Sequence, residues 1–116
     1  MAIYSKVLLS ESVNGKGVTV AATATAGTLI HTAQAGTTGM DEIWLYATNS
    51  EATTVMLTVE FGGATAAENI ELDIPGESGL VLVCPGLVLN NALEVRAFAG
   101  TTNVLHISGY VNRVTA

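Results

Sequence analysis

The stretch that decides the fold is LEVRAFAGTTNVLHISGYVNRV, residues 93–114. Apolar residues alternate with polar or aromatic residues on both sides of a Gly-Thr-Thr-Asn turn at 100–103. Alternation with a period of two predicts strands with one buried face, and a Gly/Asn turn between two such runs predicts an antiparallel hairpin. The residues expected to face the core are Leu93, Val95, Ala97, Leu105, Ile107, Gly109 and Val111.

Another alternating run covers residues 42–48. Successive side chains on a strand point to opposite faces, so this run has a core-facing set and an outward set. The core-facing set is expected to be Ile43, Leu45 and Ala47. The pattern therefore predicts a half-buried strand that presents Trp44 and Tyr46 on its outer surface, with reversed faces or burial of both faces as the open alternatives.

Two more runs carry different patterns. Residues 54–61 alternate, and Met56, Thr58 and Glu60 are expected to point outward. Residues 80–84 are apolar without alternation, which predicts a strand covered on both faces.

The chain as a whole has about eight short strand patterns separated by turn residues, and no run with a sustained helical period. Its 116 residues suit one domain. This predicts an all-β, single-domain antiparallel β-sandwich that is jelly-roll-like. Residues 13–116 would form the sandwich, and residues 1–12 would be an N-terminal arm or an edge strand.

The charge of the chain limits its partners. The formal net charge is −6, and only four residues are Lys or Arg, too few to neutralise a run of phosphates. Nucleic acid and membrane surfaces are therefore not expected as partners. Charged residues make up 12% of the chain, against about 25% in ordinary domains, so charge repulsion protects the surface poorly against association. This composition predicts an assembly protein.

No set of residues predicts an active site, a cofactor site or a metal site, and we expect no enzyme. His31 and His106 lack a second His or Cys at ligand spacing and are interpreted as surface or interface histidines. Asp41 and Glu42 are interpreted as part of a solvated strand face, because one acidic pair supplies too few oxygen ligands for calcium. The single cysteine, Cys84, is expected to be a small buried side chain.

Several segments give the chain a resemblance to small virion proteins of tailed bacteriophages. They are 42–49 (EIWLYATN), 74–75 (IP), 78–83 (SGLVLV), 85–87 (PGL) and 107–113 (ISGYVNR). The resemblance spans most of the chain after the N-terminal arm and rests on fold-type segments, not on catalytic motifs.

The resemblance implies a capsid decoration (cement) protein that binds the outside of the assembled head as a homotrimer and stabilises it. Its partner would be the major capsid protein, and it would be made in the cytoplasm of the host bacterium. We expect the apolar N-terminal segment to contact the capsid through Ile3, Tyr4, Val7, Leu8 and Leu9. We expect the outward aromatics Trp44, Tyr46 and Tyr110 to form the subunit interface, because exposed aromatics are enriched at such contacts.

Two alternatives stay open at this point. The chain could be a head–tail or tail-associated component of the virion. It could also be a carbohydrate-binding β-sandwich module, since exposed aromatics such as Trp44 also suit a sugar platform when polar side chains such as Asn112, Asn49 or Glu42 flank them.

Overall fold

The computed structural model describes residues 2–115, which form nine β-strands and no helix. Within these residues, no helix of the length and hydropathy needed to cross a bilayer is present. The strands are β1 (Ile3–Leu8), β2 (Val18–Thr19), β3 (Thr28–Thr32), β4 (Met40–Asn49), β5 (Val55–Phe61), β6 (Asn69–Ile74), β7 (Val81–Leu89), β8 (Glu94–Ala99) and β9 (Leu105–Thr115).

The strands form two antiparallel sheets. Sheet A has the order β1-β9-β4-β7, with the short β2 also paired to β9, and sheet B has the order β3-β8-β5-β6. The predicted all-β antiparallel sandwich is therefore confirmed.

The strand pairs are nested along the chain. The innermost pair is the β5–β6 hairpin, and β4–β7, β3–β8 and β1–β9 pair outside it in turn. This is the pairing of one long antiparallel ribbon. Two further pairs, β4–β9 and β5–β8, join strands from opposite arms of that ribbon and so roll it into two sheets.

The core lies between the sheets and follows the predicted alternation in β4, β8 and β9. In β4, every odd residue from Asp41 to Asn49 is buried and the even residues are more exposed. The buried apolar residues of these three strands are Ile43, Leu45, Ala47, Val95, Ala97, Ala99, Leu105, Ile107 and Val111.

The predicted hairpin over residues 93–114 is wrong. Strand β8 lies in sheet B and β9 lies in sheet A, so the segment between them crosses from one sheet to the other. The crossing is held at both ends, because Gly100 N–H donates to Met56 O and Asn103 N–H donates to Val20 O. Alternation reports that each strand has a buried face, and two strands facing each other across a core alternate just as two hairpin partners do.

Strand β7 also differs from its prediction. It lies at the edge of sheet A, and the outward side chain of Leu82 is 47% exposed. Pro85 lies in the strand, and the register against β4 shifts twice. A proline has no backbone N–H to donate, so an edge strand is where it is tolerated. The continuous apolar run therefore belongs to an exposed edge and not to a strand covered on both faces.

Thr58 and Glu60 lie on the outer face of sheet B as predicted by parity, but both are buried. The loop between β2 and β3 folds over this face. The backbone N–H of Gly27 donates to Glu60 Oε1 at 2.7 Å, and the Thr25 hydroxyl donates to Glu60 Oε2 at 2.8 Å. These bonds compensate for removing the carboxylate from water.

The different positions of two leucines give a test of the sandwich. Leu45 is fully buried at the centre of sheet A, so we expect Leu45→Ala to lower the free energy of unfolding by about 2–5 kcal/mol. Leu82 projects from the edge strand, so Leu82→Ala should cost less than about 1 kcal/mol. Urea unfolding of both variants at low protein concentration measures the difference. Similar losses for the two variants would contradict the arrangement of sheet A.

Candidate functional site

The outer face of sheet A brings together most of the residues singled out in the sequence. Residues directly opposite each other on paired strands share a face. The pairing therefore sets out four neighbouring rows, here called the sheet A face: Tyr4–Val114–Met40, Lys6–Asn112–Glu42–Val88, Leu8–Tyr110–Trp44–Pro85 and Ser108–Tyr46–Leu82.

An aromatic pair lies at the middle of this face. The rings of Trp44 and Tyr110 stack with centroids 6.2 Å apart and planes 12° apart. From the side of β1, Lys6 Nζ lies 4.8 Å from the centre of the Tyr110 ring. On the side of β7, Gly86 has a φ of +80°, and a side chain there would collide with the indole. The two rings are therefore held in place by their neighbours on two flanking strands, β1 and β7.

A polar group lies beside the aromatic pair. Glu42 Oε1 accepts hydrogen bonds from Trp44 Nε1 at 2.7 Å and from Asn112 Nδ2 at 3.0 Å. The hydrogen bonds from Asn112 and Trp44 lower the pKa of the Glu42 carboxyl below its ordinary value. Within residues 2–115, no Lys, Arg or His nitrogen lies within 4.0 Å of this carboxylate. Glu42 is therefore held ionised and oriented without an ion-pair partner from the described chain.

The N-terminal residues predicted to contact a capsid do not act as one set. Ile3, Tyr4, Val7 and Leu8 lie in β1, which pairs with β9 along its whole length, and Leu9 follows this strand. Tyr4 and Leu8 lie on the sheet A face, 77% and 52% exposed. Ile3 is exposed but has the opposite parity, Val7 packs against the core, and Leu9 is fully buried. Leu9 is therefore removed from any contact surface in this fold.

Tyr4 and Leu8 of the predicted capsid contact consequently share one surface with the predicted subunit contacts. Leu8 is the cross-strand neighbour of Tyr110, and Tyr110 is the neighbour of Trp44. Tyr46 lies in the next row, between Ser108 and Leu82. The sequence treated these residues as two interfaces, and the pairing of β1, β9 and β4 makes them one continuous patch.

The outer face of sheet B has a different character. Arg96 forms an ion pair with Glu94 at 3.0 Å, and Glu71 and Asp73 are exposed on β6. Met56 is the one large exposed hydrophobic residue that the described part of this face carries. The sandwich thus has one face with the aromatic pair and five exposed apolar side chains, and one face with more charged side chains, on which Phe98 is partly buried.

A buried polar network supports the sheet A face from inside. Arg113 donates to both carboxylate oxygens of Asp41, at 2.8 and 2.9 Å, and His31 Nε2 lies 2.8 Å from Asp41 Oδ2. Burial raises the pKa of Asp41, but the hydrogen bonds from Arg113 and His31 outweigh it, so the pKa lies below its ordinary value. Asp41 is therefore a buried, paired carboxylate and not part of a solvated strand face.

His31 is likewise buried and not at the surface. Its Nδ1 accepts a hydrogen bond from the backbone N–H of Ser10 at 2.9 Å, so the Nε2–H is the group that donates to Asp41. The Ser10 hydroxyl instead accepts from the Thr32 N–H. Nucleophilic activation of a serine requires the histidine to bond its hydroxyl, and in this geometry it does not.

The alternation in the sequence already places Asp41 and Arg113 on the buried sides of their strands. Asp41 has the same parity as Ile43 and Leu45, and Arg113 has the same parity as Val111. Two opposite charges at core-facing positions of neighbouring strands are typical of a buried ion pair. The partner strand was the missing information.

The remaining candidate residues have structural contacts. His106 lies on the outer side of sheet A with its Nδ1 3.0 Å from the Thr19 hydroxyl. Cys84 is buried as predicted, donates to Ile43 O, and has its thiol pKa raised by burial. Among residues 2–115, no group of three or more His, Cys, Asp or Glu side chains is placed to hold a metal ion.

Comparisons with protein-family models, with curated proteins and with solved structures found no match to this chain.

The Asp41 network predicts a pH-dependent stability. The pKa of Asp41 in the folded protein lies below the ordinary aspartate value of about 3.9, so its contribution is present above that pH and is lost as the pH falls through the folded-state pKa. We expect Asp41→Asn to lower the free energy of unfolding at neutral pH by about 3 kcal/mol, because the buried partners lose their anion.

Urea unfolding across the acid range measures this effect, and the gap between wild type and Asp41→Asn should close as the pH falls. Asp73→Asn, at an exposed carboxylate, is the matched control and should leave stability nearly unchanged. A gap that stays constant with pH would contradict the account.

The Trp44–Glu42 hydrogen bond predicts a spectroscopic titration. Trp44 is the only tryptophan, so its indole N–H gives one peak in a ¹⁵N–¹H correlation spectrum. We expect this peak to move with pH and to report a midpoint below the ordinary glutamate range, because the peak follows the carboxylate that it bonds. The movement should be absent in Glu42→Gln, and an ordinary midpoint would show that the bond does not stabilise the anion.

Proposed function

We propose that this protein is a jelly-roll structural component of a tailed-phage virion, which binds the outside of the assembled head as a homotrimer and stabilises it. The observation that carries the proposal is the division of the sandwich into an apolar, aromatic sheet A face and a charged opposite face. The segments that resemble phage virion proteins supply the setting.

The jelly-roll topology is supported by the strand order. A jelly roll folds eight strands into two four-stranded antiparallel sheets. Setting aside the two-residue β2, the sheets here are β1-β9-β4-β7 and β3-β8-β5-β6. The nested pairs around the β5–β6 hairpin are what rolling a single antiparallel ribbon produces.

The sheet A face has the composition of a protein-contact surface. Monomeric proteins rarely expose large contiguous apolar patches, and such patches mark interaction sites. Aromatic residues are enriched at the cores of these contacts. On this face, the half-buried Trp44 and Tyr110 are surrounded by exposed apolar side chains, which are Tyr4, Leu8, Met40, Leu82 and Val88.

Binding through such a face can stabilise a capsid by mass action. A protein that binds the assembled lattice and not the free subunit stabilises the lattice by its binding free energy. A trimer repeats the contact, so avidity adds affinity without new contacts in each copy. Neither effect needs catalytic residues.

The trimer needs a surface other than the one that contacts the capsid. The edge of sheet A at β7 meets this need, because Leu80 and Leu87 are exposed there, 64% and 45%. In the proposed assembly, neighbouring copies therefore contact each other at β7, and Trp44, Tyr46 and Tyr110, expected from the sequence at the subunit interface, contact the lattice instead. Light scattering should accordingly give three times the mass of one chain.

The sugar-platform alternative is less well supported by the geometry of the rings. A sugar stacks on an open aromatic face, but Tyr110 has Lys6 on the side of β1 and Trp44 on the side of β4. The head–tail alternative would use the same apolar face. The two roles are distinguished by the part of the virion that the protein binds.

Two residues with equal exposure on opposite faces test the proposal. Leu8 on the sheet A face is 52% exposed, and Met56 on sheet B is 53% exposed. We expect Leu8→Asp to weaken co-sedimentation with assembled shells by about tenfold or more, because a buried charge at a contact costs at least about 1.4 kcal/mol. Met56→Asp should bind like wild type.

The control for lattice recognition is the free capsid subunit, which the protein should not bind. Wild-type protein that ignores shells would refute decoration and bring the head–tail and sugar-binding alternatives forward. Equal binding by both variants would refute the assignment of the face.

A further inference from the structure

A shallow depression interrupts the sheet A face beside the aromatic pair. It has a volume of about 390 Å³ and is lined by Tyr4, Ser5, Lys6, Glu42, Asn112 and Val114. It lies over β9 between β1 and β4, so its floor and walls come from three paired strands. An apolar contact surface with a polar hollow needs a partner that brings a matching polar group.

The hollow offers acceptors that the chain itself leaves open. Both hydrogen bonds to Glu42 reach Oε1, from Trp44 and from Asn112. No described residue donates to Glu42 Oε2 or to Asn112 Oδ1. A carboxylate oxygen and an amide oxygen therefore remain available side by side.

The Glu42 carboxylate of the hollow favours a cation. Glu42 is held as an anion by its two donors, and no basic group of the described chain forms an ion pair with it. Lys6 also lines the hollow, but its ammonium lies over the Tyr110 ring. The chain as a whole carries −6, which adds a long-range attraction for a cationic group.

The residues that line the hollow suit a planar cation. Tyr4 is one of them and is 77% exposed, so a ligand can cover a face of its ring. A guanidinium donates to two acceptors through its fork and stacks on an aromatic ring, whereas an ammonium is a compact point charge. Arginine is also enriched at protein contacts.

From this geometry we infer that the depression beside Glu42 binds an arginine side chain of the capsid subunit, with the guanidinium on Glu42 and Asn112 and against Tyr4. The identity of the partner rests on the proposed function, whereas the chemistry of the site rests on these residues alone. The arginine would be a central contact of the sheet A face.

The test uses a guanidinium probe on the intact protein and the Trp44 indole N–H as the reporter. The probe is N-acetyl-arginine amide, and its control is N-acetyl-citrulline amide, which has nearly the same shape without the charge. Both are titrated at matched pH and ionic strength. Because the indole bonds Glu42, binding at this carboxylate should move its peak several-fold further with the arginine probe than with citrulline.

Two variants identify the site. Glu42→Gln keeps an oxygen for Trp44 and Asn112 but loses the charge, so the response to arginine should be lost. Glu71→Gln removes an exposed carboxylate from sheet B and should keep the full response. An absent response, an equal response to both probes, or a response that persists in Glu42→Gln would overturn the inference.

The outcomes separate this inference from the proposed function. A selective arginine response in a protein that ignores shells would support the guanidinium site and refute decoration. Shell binding by a protein without that response would support decoration and refute the arginine site.

Discussion

The antiparallel pairing of β4 with β9 is the constraint on which the rest of the structure depends. It runs without a break from Met40 opposite Val114 to Asn49 opposite Leu105. This register fixes the two surfaces of sheet A together, because alternate residues of both strands enter the core and the others form the outer face. Gly109 allows the close approach, since a side chain there would collide with the Trp44 carbonyl. A slip of one residue would exchange the two faces.

Charged side chains make this register specific. Asp41 and Arg113 lie directly opposite each other, and a slip would leave the buried carboxylate without its cation, which costs several kcal/mol. The next pair, Glu42 with Asn112, points the other way and orients the carboxylate at the centre of the sheet A face. The same pairing therefore sets the stability of the sheet and the chemistry of its outer surface.

Alternation was enough to predict the strands and the buried side of β4, β8 and β9, because burial acts on each strand separately. It did not reveal strand partners, so residues 93–114 were predicted as a hairpin although they bridge two sheets. The apolar run at residues 80–84 was predicted as a strand covered on both faces, whereas Leu82 lies at an exposed edge. The burial of Glu60 depends on a loop whose path no local pattern encodes. The sequence likewise could not predict that Leu8 lies beside Tyr110 and Trp44, because this contact depends on the pairing of β1 with β9.

The central claim is that the sheet A face contacts the assembled capsid, and two methionines test it most directly. Met40 lies on that face and Met56 on the opposite one, and both are exposed, 39% and 53%. The measurement is the peroxide oxidation rate of each thioether, free and bound to assembled shells. The account predicts that shells slow the oxidation of Met40 and leave Met56 reactive. Protection of Met56 with Met40 unchanged would contradict it.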